Sequence, residues 1–127
     1  MDFIQNPHSN QATGHYSPAV VHDGIAYISG QLPIRYSSED KLPTGNLLEQ
    51  ARQVFSNLES ILRACGSSKE LVLKTTIYLS NIEDWDAVNK EYGSFFGSHK
   101  PARTVVPTRN LHFDSRIEID AIAVVKQ

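Results

Sequence analysis

The chain has 127 residues, 40% of them hydrophobic and 20% charged, with a formal net charge of −2 from 12 basic and 14 acidic side chains. That composition describes one ordinary soluble domain, residues 1–127, with chain enough for a core. It excludes disordered, collagen-like and strongly basic nucleic-acid-binding classes.

The first dozen residues are polar and contain Pro7, so they read as an arm and not as a signal peptide. Ala19–His22 and Ile25–Ser29 are two β-prone runs joined by Asp23-Gly24, the strongest short hairpin signal, because Gly supplies the positive φ of a type I′ turn. Residues 31–45 hold Pro33, Pro43 and Gly45 and read as a loop. Asn46 and Glu49 have capping-box spacing, and Leu47, Leu48, Ala51, Val54, Phe55, Leu58, Ile61 and Leu62 follow at helical period up to a stop at Gly66. Ser68 is placed to start a short turn.

Val72–Leu79 is rich in β-branched and aromatic residues and predicts a strand. Asn81 is positioned to open a second helix with Trp85, Val88, Tyr92, Phe95 and Phe96 on one face, ending at Gly97. Ala102–Val106 and Arg116–Val125 complete the strands, the last with Ile117, Ile119, Ala121, Ala123 and Val125 alternating. The order predicts an α+β fold, a mixed β-sheet with two helices packed on one face. The last strand is apolar at Ile122 and Val124 as well. Two helices cover one face only, so the other predicts burial against further copies of the chain.

No apolar run is near the ~20 residues that cross a bilayer, so no membrane partner is expected. Single Cys65 permits no internal disulfide, which fits a reducing cytoplasm, and it reads as a small core hydrophobe. The five histidines have no metal spacing, no phosphate-binding glycine loop is present, and neither a metal nor a cofactor is expected. Arg109 and Arg116 lie in polar surroundings and read as exposed.

Arg103 and Asp120 draw attention because each sits in an otherwise apolar strand and so needs a partner. Arg suits a carboxylate through its planar fork. Both a structural ion pair, including one between the two, and a binding role fit this pattern. Glu118 shares the face of Asp120 and is the weaker candidate.

Several stretches together resemble the RidA (YjgF) family of imine and enamine deaminases. They are Gly14-His15-Tyr16-Ser17, Ser29-Gly30-Gln31-Leu32-Pro33, Gln53–Leu58, Lys74–Leu79, Val88–Tyr92, Lys100-Pro101-Ala102-Arg103 and Ile117–Ala123. The set spans nearly the whole chain in order. The resemblance implies a chorismate-mutase-like fold and a homotrimer with a β-barrel core and sites in clefts between subunits. It implies cofactor-free hydrolysis of 2-imino and enamino acids to 2-keto acids and ammonia. Arg103 would bind the substrate carboxylate. Asp120, read as standing at a usual Glu, would position water. Tyr16, Gly30, Asn89 and Val105 would contact substrate. His15 for a usual Pro, Val105 for a Cys, and the divergent Pro107–His112 stretch mark this chain as distinct. Two other readings are a weakly catalytic carboxylate-binding or regulatory module and a ribonuclease or translation inhibitor. The acidic charge balance and the absence of a basic, aromatic-lined strip count against nucleic acid.

Overall fold

The computed structural model describes residues 1–7, 14–36, 42–43 and 45–126. Among the described residues there are six strands: β1 Asp2–Ile4, β2 Ala19–His22, β3 Ile25–Gln31, β4 Val72–Leu79, β5 Ala102–Pro107 and β6 Ile117–Val124. They form one sheet in the order β1-β2-β3-β6-β4-β5. Helices α1 (Leu47–Ala64) and α2 (Trp85–Phe96) pack on one of its faces.

The local signals explain the elements. Asp23 and Gly24 have φ of 51° and 77°, as a type I′ hairpin requires. Asn46 accepts a bond from the Glu49 N–H at 3.0 Å, and the Glu49 carboxylate accepts one from the Asn46 N–H at 3.4 Å, closing the capping box. Gly66 and Gly97 follow the two helices at φ 76° and 64°, which glycine adopts without a Cβ clash. The crossover β4-α2-β5 makes a parallel pair, and the other strand pairs are antiparallel.

Two expectations are corrected. The start of the N-terminal arm is strand β1, because Asp2–Ile4 pairs with Ala19–Val21 and so satisfies its backbone on the sheet edge. Asn81 caps a short 3-10 turn, Ile82–Asp84, by accepting the Glu83 N–H at 3.0 Å; α2 begins only at Trp85. Of the expected 31–45 loop, residues 37–41 and 44 lie outside the described residues, whereas Gln31 belongs to β3 and Ile34 bridges Pro43.

The core lies between the helices and the inner sheet face. Leu58, Leu62, Ile77, Leu79, Ile117 and Ile119 are fully buried there, and Phe55 stacks on Phe95. Cys65 joins this core, and burial pushes its thiol up to about 11, so it behaves as a hydrophobe. On the outer face Phe3 and Tyr27 are exposed, and Val20, Ile122 and Val124 are only half-buried.

Candidate active site

Strand register sorts the candidate residues onto two faces. Arg103 on β5 pairs with Thr75, whose hydroxyl bonds the Tyr92 hydroxyl of α2 at 2.8 Å, so Arg103 points to the helix side. Asp120 pairs with Thr76 and therefore points to the outer face. One strand, β4, separates their backbones by about 10 Å. The structure does not bring Arg103 and Asp120 together in one chain, and an ion pair between them is ruled out by their opposite directions.

Arg103 is held by neutral groups. Its Nη1 donates to Asn89 Oδ1 at 2.9 Å. Its Cζ lies 4.7 Å from the Tyr92 ring centroid and 5.5 Å from that of Trp85. A guanidinium stacked on rings keeps part of its fork free for an anion. Among the described residues no carboxylate pairs with it. Val105, Trp85, Val88, Ile77 and Leu79 complete a shallow recess around Arg103 and Asn89. Thus Asn89, Val105 and Arg103 stand together as expected.

The second cluster lies on the outer face, at a register shift between Ile28 and Gln31 of β3. Such a bulge re-aims the chain locally. Ser29 anchors it by donating its hydroxyl to the Ser17 carbonyl at 2.7 Å and its N–H to the Pro18 carbonyl at 2.9 Å. Those bonds tie the segment carrying Tyr16 beside Gly30. Tyr16 is 57% exposed and folds its ring over Gly14, where a Cβ would meet the ring at 2.7 Å.

The acid that reaches Gly30 is Glu118. A Cβ on Gly30 would overlap Glu118 Oε2 and lie 3.0 Å from its Cδ. Asp120 instead accepts a bond from the Tyr78 hydroxyl at 3.1 Å. Burial holds the Glu118 carboxyl above the usual carboxylate range; the Asp120 charge raises it further, and His112 opposes them. Burial also raises the Tyr36 phenol, with Tyr16 and Glu118 adding to the effect. Tyr16, Gly30, Glu118 and Tyr36 therefore form one group, with Asp120 and Tyr78 behind it. Alternation predicts that Glu118 and Asp120 share a face; only the bulge selects which of them meets Gly30. Tyr36 carried no signal in the sequence, and Tyr78 appeared there only as part of the Lys74–Leu79 stretch.

Arg116 keeps much of its expected exposure, its side chain being 43% exposed, but it is also paired. Its Nη2 and Nε donate to Asp84 at 2.8 and 3.2 Å, and its N–H donates to the buried Gln50 at 2.9 Å. Among the described residues no cluster of ligating side chains could hold a metal ion. No helix described is long and apolar enough to cross a membrane.

Residues 6–125 match the family model described as endoribonuclease L-PSP. The chain belongs to this family. It is 42% identical over 113 residues to human 2-iminobutanoate/2-iminopropanoate deaminase, covering 89% of this chain and 82% of that protein. A Yersinia pestis protein of the conserved Rid family has 34% identity, a TM-score of 0.90 and 98% coverage of both chains. E. coli TdcF, solved with bound serine, has 28% identity, a TM-score of 0.90 and coverage of 99% and 100%. The two-helix, six-stranded architecture is thus that of the Rid proteins.

Proposed function

We propose that the protein hydrolyses reactive 2-imino acids to 2-keto acids and ammonia. One observation carries this reading: the Arg103 fork is oriented by Asn89 and two ring faces, yet no described carboxylate neutralises it. A 2-imino acid supplies that carboxylate, and the clamp fixes its imine carbon for attack, so much of the gain is orientation. Glu118 takes a proton from water as the oxygen adds to the carbon of the protonated imine, giving a carbinolamine. It returns that proton to the amine nitrogen, then takes the remaining hydroxyl proton as the C–N bond breaks, so that the keto C=O forms and ammonia leaves; the proton is finally released to solvent. General acid–base work of this kind contributes about 10²–10⁴-fold. A carboxyl raised by burial suits both halves of the cycle. Glu118 takes the role expected of Asp120 because it, not Asp120, lies against Gly30. Asp120 and Tyr78 support it from behind. Tyr16 and Gly30 wall the pocket.

The two clusters lie on opposite faces of one sheet, so a complete site needs two copies. The apolar outer face supplies the contact, through Phe3, Tyr27 and Ile122. A homotrimer built on these faces would place the Arg103 recess of one copy beside the Glu118 cluster of the next. Light scattering should give three times the 14.2 kDa chain. A cytoplasmic location belongs to the same proposal and is checked by fractionation.

The test generates imino acids in situ with an amino-acid oxidase or a dehydratase and follows keto-acid release. Wild type should accelerate release, Arg103→Ala should abolish the gain, and Glu118→Gln should remove more of it than Asp120→Asn. No acceleration over buffer, across small and bulky imino acids, would overturn the reading.

A further inference from the structure

A pair of hydroxyls stands in the core behind Arg103. The Thr75 hydroxyl of β4 and the Tyr92 hydroxyl of α2 bond each other at 2.8 Å. Thr75 is 1% exposed and Tyr92 7%. The Tyr92 ring otherwise meets apolar groups, Phe55 edge-on with centroids 6.0 Å apart and Phe96 at 4.7 Å. Replacing both partners of such a bond by apolar groups of the same shape is close to neutral for stability, so stability alone does not explain the pair. A satisfied buried pair instead selects one geometry. The directional bond fixes where the tip of the Tyr92 ring sits, whereas contacts with Phe55 and Phe96 allow it to slide.

The group that depends on this ring is the Arg103 fork. Thr75 and Arg103 stand opposite each other in the parallel pair of β4 and β5. The tip of the Tyr92 ring is thus tied to the strand beside the one that carries the guanidinium. The guanidinium lies over the ring face, with Cζ 4.7 Å from the centroid. Its other supports are looser. Trp85 is 37% exposed and 5.5 Å away, and Asn89, which accepts from Nη1 at 2.9 Å, is an exposed residue. Among these three groups Tyr92 is the buried one.

We propose that Thr75 and Tyr92 are positioning residues: their hydroxyl bond fixes the ring face on which the Arg103 guanidinium rests, and so aims its fork. Thr75 acts through Tyr92 and needs no contact with substrate. The ordering of Arg103 stands on these contacts; its consequence for carboxylate binding rests on the deaminase reading above.

Nitrogen-15 NMR of the arginine Nε–H groups follows Arg103 without any ligand, with Arg103→Lys assigning the signal. Titration with pyruvate, a simple 2-keto acid, reads the clamp. Thr75→Val removes one hydroxyl and strands the other. Thr75→Val with Tyr92→Phe removes both, keeps the ring, and should melt within about 5 °C of wild type. In both variants the Arg103 Nε–H order parameter should fall from about 0.85 toward about 0.6, the rigid and flexible ends of the usual scale. Pyruvate binding should weaken about 2- to 30-fold, the span of an oriented cation–ring contact. Thr75→Ser, which keeps the hydroxyl, should hold both at wild-type values. A merely structural pair predicts instead that Arg103 is unchanged in the double variant, where stability has returned. Wild-type order in the folded double variant, or a loss that Thr75→Ser shares, overturns the proposal. Pyruvate that fails to bind wild type refutes the deaminase reading of Arg103, while the order parameters still decide the positioning.

Discussion

Gly30→Ala isolates the Glu118 carboxyl without removing it. The new Cβ would lie 3.0 Å from Glu118 Cδ and overlap Oε2. Carbon atoms at ordinary contact are about 3.5–4.0 Å apart, so Cδ must retreat by about 0.5–1 Å and the oxygen must swing farther. The obstructing atoms are the free end of a flexible side chain on the outer face, so the fold has room to yield. Replacing glycine within a strand also recovers about 0.5–1 kcal/mol of backbone entropy. The melting temperature should therefore stay within about 5 °C of wild type. Catalysis has no such slack, since a displacement of about 1 Å can cost about 10²-fold. The assay is keto-acid release from imino acid generated in situ, with kcat and KM separated, beside a thermal melt. A kcat loss of about 10²-fold, small change in KM and a near-native melt are expected. Near-wild-type kcat in folded Gly30→Ala would refute the assignment of Glu118 to the reacting water.

Other outcomes follow from the electrostatics and the packing. Because the folded Glu118 carboxyl titrates above its ordinary 4.5, the native state holds the proton where the unfolded chain has released it; this group therefore makes stability fall as pH rises through that window. Glu118→Gln removes the penalty, so its stability relative to wild type should grow as pH rises above the ordinary value of 4.5 in paired denaturant titrations. Asp120→Asn deletes the negative neighbour and should shift the acid limb of kcat/KM to lower pH; a limb that stays put would detach Asp120 from the site. Arg116→Ala strands the buried Asp84 carboxylate. With the Arg116 side chain 43% exposed, the cost should be about 1–2 kcal/mol by urea unfolding, below that of a fully buried pair.

Local chemistry was readable from the residues alone. The Asp23-Gly24 turn, the Asn46–Glu49 cap, the apolar period of α1 and the glycines closing both helices each depend on a few neighbouring residues, and each is present. The amphipathic helices and the two-sided apolar character of β6 also follow from spacing, so the layered fold and its uncovered face could be inferred. Short segments were harder: Asp2–Ile4 is a strand only because β2 is there to pair with it. The site itself depended on tertiary structure. Glu118 and Asp120 have the same parity and similar surroundings in the sequence, and period two cannot separate them. Strand register and the bulge at Ser29–Gln31 give Gly30 to Glu118 and leave Asp120 to Tyr78. Register likewise turned Arg103 to the helix side, away from both acids. Such choices are made by contacts between residues far apart in the chain, where no local pattern reaches.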